Sequence, residues 1–295
     1  MAMRSVLLLA AAASLVGAAP AKKPLTPNDI VSQAPKSAWK TISSDELMVL
    51  DLKSGGRVVV QLAPAFAPVH VANIQALARG KYWDGATIYR VQDNYVVQWG
   101  LNESDKPWPA GVTAKPPAEY TRTFKGLKVK PLGFADPYAP GAGFVDGWPV
   151  AYSAKAGWAN LAHCYGSVGV GRDLSPDTGT GGELYAAIAP IRHLDRNIAV
   201  VGRVIDGIDK LSSLPRGTEA LGFYKDKGAF VPIASVRIAS NIPAGERPAY
   251  EYLDTASASF AAYLRVRANR KDDFYIRPAG GVDLCNVTVP VRRKV

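Results

Sequence analysis

Apolar residues along this chain fall into short runs broken by glycine and polar turns, with few stretches at helical spacing. Residues 48–52 and 57–62 are two such runs on either side of Ser54-Gly55-Gly56, a pattern that predicts a hairpin with a glycine turn. Pro64 and Pro68 lead into a helix whose Val71, Ile74, Leu77 and Ala78 share one face and which Gly80 ends. Alternation resumes over residues 88–100 as two short strands around Gln92-Asp93-Asn94. Because its period is two, a reversal at that turn is what brings Arg90, Tyr95 and Gln98 to a common face. Residues 205–211 predict a second, shorter helix, and residues 230–239 a further strand.

The two flanks and one long central segment read differently. Residues 22–40 are rich in Pro, Ser and Lys and read as part of an exposed arm over 22–45, with order beginning near Leu47. Residues 102–158 are rich in Pro, Gly, Tyr and Trp with little sustained periodicity. A structureless loop of that length is uncommon inside a compact domain, so local order is expected there, its aromatics either lining a groove or packing the segment onto the core. In the tail, over 241–295, Asp254 is placed to cap a helix running to about Asn269, with Ala256, Phe260 and Leu264 on one side. Residues 276–291 then supply Gly280-Gly281 and the alternating Val287, Val289 and Val291 of a final strand. So small a tail buries little core alone, which predicts that it packs on the preceding domain.

Residues 1–21 carry one charge, Arg4, followed by an apolar run rich in Leu and Ala and then small residues to Ala21, the shape of a cleavable secretory leader. No later segment has about 20 uninterrupted apolar residues, so a soluble, periplasmic or secreted monomer with no stable membrane insertion is expected. Lys and Arg number 35 against 25 Asp and Glu, and without Arg4 the balance is 34 − 25 = +9. The positive residues are spread, and the clusters at 267–271 and 292–294 lack the interleaved aromatics of a stacking platform, which argues against nucleic acid as a partner. Cys164 and Cys285 either pair in an oxidising compartment or stay as buried thiols. One histidine, His163, beside one cysteine does not make a metal site, and no metal or cofactor is expected. The glycine-rich GSVGVG of residues 166–171 lacks a phosphate-loop lysine, and no G-x-S-x-G elbow accompanies any histidine.

Four segments taken in order resemble the cyclophilin-type peptidyl-prolyl isomerases: residues 68–80 (PVHVANIQALARG), 88–100 (IYRVQDNYVVQWG), 181–186 (GGELYA) and 192–204 (RHLDRNIAVVGRV). The resemblance covers about residues 46–240, with the 102–158 segment as an insertion. It implies a mainly β fold: a closed eight-stranded antiparallel barrel capped by two helices, with a large insertion loop and an α/β C-terminal extension. It also implies rotation of X-Pro bonds in proline-containing polypeptides, with Arg90 as the cation over the prolyl nitrogen and Gln98 and Glu183 as orienting groups. Tyr95, Val96, Tyr185 and Leu194 would form the apolar slot for the proline ring, with His193 beside it. Gly169, Val170 and Gly171 would offer main-chain groups to the residues before proline, as a sheet edge does.

This chain departs from the family pattern at several of these positions. Glu183 replaces a usual glutamine, Val170 an asparagine, Ile198 a histidine, Tyr95 a phenylalanine and His193 a tryptophan. The carboxylate of Glu183 threatens to clamp Arg90 in an ion pair. That keeps open a second reading, a peptide-binding or chaperone module that retains the groove with little turnover.

Overall fold

The computed structural model describes residues 24–102 and 104–294, so the leader expected at 1–21 lies outside the described residues. Eight strands form the barrel: β1 (Leu47–Leu52), β2 (Arg57–Leu62), β3 (Thr87–Val91), β4 (Val96–Gly100), β5 (Ser167–Val170), β6 (Leu184–Ala187), β7 (Val200–Asp206) and β8 (Val231–Ile238). They close antiparallel in the order β5-β6-β4-β3-β8-β1-β2-β7. Alternation supplies the interior: Met48, Leu50 and Leu52 from β1, Val58, Val60 and Leu62 from β2, and Val97 and Trp99 from β4 point into one apolar core. Helix α2 (Pro68–Arg79) lays Val71, Ile74, Leu77 and Ala78 on that core, and the short α3 (Ile208–Ser212) adds Ile208 and Leu211.

The insertion is a five-stranded sheet rather than a loop. Its strands are Arg122–Thr123, Lys130–Pro131, Gly141–Val145, Trp148–Ser153 and Trp158–Leu161, so it ends past residue 158. It is stitched to α2 by polar groups. Glu119 accepts the main-chain N–H of Val69 and of His70, both at 2.9 Å, and lies 2.6 Å from His70 Nδ1, satisfying donors that a helix start leaves open.

The 24–45 and 241–294 segments are built onto the outside of the barrel. The 24–45 segment, expected as an exposed arm, instead carries α1 (Pro27–Ser32) and the strand Trp39–Thr41, with Ile30, Trp39 and Ile42 buried. A capping box starts α1: Thr26 Oγ1 accepts Asp29 N, and the Asp29 carboxylate accepts Thr26 N at 2.8 Å. Trp39–Thr41 pairs with Tyr250–Leu253, which pairs with Val291–Arg293. The tail helix α4 (Ala258–Ala268) is capped by Ser257, whose Oγ accepts Phe260 N at 3.0 Å, and not by Asp254. The final strand expected from Val287, Val289 and Val291 is confined to Val291–Arg293; Val287 and Val289 are buried by side-chain packing without a ladder. Phe260 meets Phe144 of the insertion edge-on at 5.0 Å, inside a cluster that includes Leu47, Val49 and Val59 from the outer face of the barrel. The two cysteines are joined as Cys164–Cys285, linking tail to core across a separation of 121 residues.

Candidate active site

Arg90 and Gln98 face each other across β3 and β4, and the register slips by one residue between Ile88 and Arg90. That slip is decisive for the site. A β-bulge lets two successive residues share one face, so Tyr89 and Arg90 both leave the barrel interior and meet Gln98 on its outer surface. Plain alternation assigns Tyr89 to the opposite face from Arg90, and it went unnoticed for that reason.

The guanidinium of Arg90 is held at three points. Its Nε donates to Leu221 O at 2.7 Å, one terminal nitrogen to Gln98 Oε1 at 3.0 Å, and the other to Gln92 Oε1 at 2.6 Å. Its carbon lies 5.3 Å from the Phe223 ring centroid and 5.7 Å from that of Tyr95. Among the described residues, Arg90 has no carboxylate within ion-pair distance. Burial lowers its pKa below the ordinary guanidinium value, yet a guanidinium stays charged at any physiological pH.

Glu183 does not clamp Arg90. Its Oε2 accepts the Tyr89 hydroxyl at 2.6 Å, while Oε1 accepts the main-chain N–H of Leu101 at 2.9 Å and of Asn102 at 3.1 Å. Tyr89 Oη in turn accepts Gln98 Nε2 at 2.6 Å. The polar chain thus runs Glu183, Tyr89, Gln98, Arg90, and the ion pair threatened by the sequence is replaced by a two-residue relay. Burial raises the Glu183 pKa above the ordinary 4.5 against the opposing pull of Tyr89 and the two amides. Burial, with Glu183 beside it, pushes the Tyr89 phenol far up, which keeps it a donor.

Tyr95, one of the apolar residues expected around the proline ring, flanks this cation. Val96 and Tyr185 are buried in a cluster with Ala187, Ala189 and Ile191, edged by Tyr95, Leu194 and Ile198. The exposed His193 stacks on Tyr95, ring centroids 5.8 Å apart and planes 9° from parallel. Below this cluster, Tyr185 Oη lies 3.1 Å from Nε2 of the fully buried His163, whose Nδ1 is 3.0 Å from Asp195. Asp195 accepts Arg192 Nε at 2.5 Å, and Arg192 reaches Asp136 of the insertion at 2.9 Å. His163, Asp195 and Asp136 therefore support the Tyr185 cluster, and none of them lines the groove beside Glu183.

The β5 strand does not serve as the expected sheet edge. It pairs with β6 on one side and β7 on the other, because closing a barrel removes its edges. Val170 is buried in the barrel core and its N–H donates to Ala199 O at 3.2 Å. Gly169 has a packing role: a Cβ there would stand 2.2 Å from Tyr185 Oη. Gly171, past the strand end, does line a groove of about 470 Å³ together with Gln98, Glu183, Tyr89, Tyr82 and Trp108. Trp108 stacks on Tyr82 at 4.9 Å, so one aromatic of the insertion lines the groove while Phe144 and Trp148 pack inward.

Residues 47–240 match the family described as "Cyclophilin type peptidyl-prolyl cis-trans isomerase/CLD". A protein of Brucella suis biovar 1 named "Probable peptidyl-prolyl cis-trans isomerase" is 24% identical over 176 residues, covering 60% of this chain and 74% of that protein. A protein of the same name from Brucella abortus is 23% identical over the same length, with the same coverage of each chain. The crystal structure of cyclophilin AquaCyp293 from Hirschia baltica shares the fold with a TM-score of 0.68 at 21% identity, over 92% of this chain and 98% of that one. The barrel, its capping helices and the matched segment together place the chain among the cyclophilin-type peptidyl-prolyl cis-trans isomerases.

Proposed function

We propose that the chain accelerates rotation of X-Pro bonds in exported polypeptides by arginine-assisted weakening of prolyl amide resonance. The amide resists rotation by about 18–20 kcal/mol because the nitrogen lone pair is delocalised into the carbonyl. As the bond twists, that lone pair localises and becomes an acceptor. A cation already held over it is then bound more tightly in the twisted state than in either planar one, which is the condition for catalysis. The observation that carries the reading is Arg90, immobilised by three acceptors, within ion-pair distance of no carboxylate among the described residues, and flanked by Tyr95 at the edge of the apolar cluster of Val96, Tyr185 and Leu194.

Gln98 fixes the direction of the guanidinium, and the slot holds the proline ring while the residue before it turns. Gly171 and the groove beyond it receive the preceding residues. The reading of Glu183 as a damaging substitution loses its ground, since the carboxylate spends its acceptor capacity on Tyr89 and two backbone amides. Export is supported by the leader shape of residues 1–21 and by a disulfide, a bond that persists in oxidising compartments.

Exchange spectroscopy on an X-Pro peptide tests the proposal with wild type and Arg90→Ala at equal concentration. The wild type should raise the exchange rate, and the variant should lose roughly 100-fold in kcat/KM, about 3 kcal/mol of transition-state stabilisation. A wild type that binds the peptide without raising exchange leaves a binding module; an Arg90→Ala variant of full activity names the wrong group.

A further inference from the structure

A second cation lies outside the isomerase groove, with surroundings that suit a ligand. Arg203 on β7 donates Nε and one terminal nitrogen to Gln61 Oε1, at 3.1 and 2.8 Å, and its other terminal nitrogen to Gly147 O at 2.7 Å. Its guanidinium sits over the Trp148 ring, 4.8 Å from the centroid. These three bonds use three of its five N–H groups and meet only neutral acceptors. Among the described residues no Asp or Glu lies within ion-pair distance of it, and burial draws its pKa down to about 10.

The same arginine lines a cavity of about 260 Å³ where the barrel, the insertion and the tail meet. Leu161, Val200, Leu284, Val287 and Val289 give it apolar walls, and no acidic residue lines it. Its lining shares no residue with the groove beside Glu183. A cation desolvated among apolar walls is costly when unpaired, and an anion brought to it repays that cost. At about 30 Å³ per small group, the volume holds roughly eight or nine heavy atoms.

We infer that this cavity is a binding site for a small carboxylate with a short apolar body, its head on Arg203 and its body against Val200, Val287 and Val289. Two sources share that chemistry: a free short-chain acid, and the C-terminal carboxylate of a polypeptide ending in an apolar residue. The small volume, room for roughly eight or nine heavy atoms, favours the free acid, with hexanoate as the size-matched probe.

The test is calorimetry on the full chain, together with the ¹⁵N-detected Nε–H signal of Arg203. Hexanoate should bind at millimolar concentration or tighter, move that signal, and bind at least about ten-fold more tightly than hexan-1-ol, the ratio expected of a charge-assisted hydrogen bond. Arg203→Gln should abolish the preference for the acid. In case that variant fails to fold, Val289→Phe, which fills the cavity from the tail side, should exclude hexanoate while leaving X-Pro exchange unchanged. N-acetyl-valyl-leucine binding in place of hexanoate, and not as its C-terminal amide, would assign the site to polypeptide ends. Equal affinity for acid and alcohol, or no binding of any of these probes, overturns the inference.

Discussion

The Tyr89 hydroxyl stands 2.6 Å from Glu183 Oε2 and 2.6 Å from Gln98 Nε2, and this one oxygen sets the direction of the whole polar chain. Since the carboxylate can only accept, Tyr89 donates to it and accepts from the amide of Gln98. The amide is thereby fixed with its carbonyl oxygen toward Arg90. Tyr89 is a positioning residue: removing its hydroxyl leaves the Gln98 amide free to turn its NH₂ group toward the guanidinium, donor against donor. Tyr89→Phe should lower kcat/KM by about ten-fold, or ~1.4 kcal/mol, with an intact fold by circular dichroism. A variant as fast as wild type in exchange spectroscopy would separate Tyr89 from the reaction.

The same logic gives the activity a pH dependence. Glu183 Oε1 already accepts two backbone N–H groups, so a proton arriving on this carboxyl group takes Oε2 and faces Tyr89. The phenol then becomes the acceptor there, its own hydrogen turns to Gln98, and the amide reverses. Activity should therefore fall as pH drops through the Glu183 pKa, which burial holds above 4.5. Stability runs the other way for this group. A raised folded-state pKa means that its contribution is present below the unfolded value and lost as pH rises through the folded one. Loss of rate at acid pH without loss of fold is the expected signature. Glu183→Gln should be several-fold slower at neutral pH and flat across this range, because the introduced amide places its NH₂ group either on Tyr89 or on the amides of Leu101 and Asn102. A pH profile of kcat/KM for both proteins, with the melt followed in parallel, decides it.

The barrel was legible because its strands are short apolar runs bounded by glycine and polar turns; in β1, Met48, Leu50 and Leu52 face the core while Leu47 and Val49 are covered on the outer face. What escaped were features in which period two is broken or hidden. The slip before Arg90 inverted the expected placement of Tyr89. In the insertion, Gly143 suggested loop, yet a Cβ there would stand 2.4 Å from Lys130 O, so the glycine permits close strand approach. Val287 and Val289 alternate because they pack on the outside of the barrel, not because they pair. The Thr26 and Asp29 capping box was readable at its spacing and was obscured by the surrounding Pro and Lys. Val170 was placed in the groove by resemblance alone, and its burial follows from its standing two residues from Val168 on an inward face.

Asp195 joins the cluster around Tyr185 to the insertion and should be felt in both. It accepts the main-chain N–H of His163 at 2.9 Å and the Arg192 guanidinium, and these partners hold its pKa below the ordinary 3.8 despite burial. A depressed folded-state value contributes stability that is present above the unfolded pKa and lost as pH falls through the folded one. Asp195→Asn should cost about 3 kcal/mol at neutral pH, in the range for breaking a buried pair, with Asp136 still compensating Arg192. The gap between wild type and variant in urea unfolding should narrow as pH falls below 3.8. KM for an X-Pro peptide should rise as Tyr185 loses the support of His163. A gap independent of pH would mean that the carboxylate is not the group at work.

The disulfide separates stability from catalysis more cleanly than any other feature. Cys164 follows the last strand of the insertion and Cys285 lies in a short helical turn of the tail, so the bond closes a loop containing half of the barrel strands. In the chain-entropy account, cross-linking residues 121 apart removes about 5 kcal/mol of freedom from the unfolded chain. Neither sulfur lines the groove beside Arg90, and the strands that carry Arg90 and Gln98 are fixed by their own ladder. A Cys164→Ala, Cys285→Ala double variant should therefore lose up to about 5 kcal/mol in urea unfolding, while its X-Pro exchange rate stays within about twofold of wild type. If the rate collapsed together with the stability, the tail would be part of the catalytic frame, and the barrel could not be treated as a scaffold independent of what is tied to it.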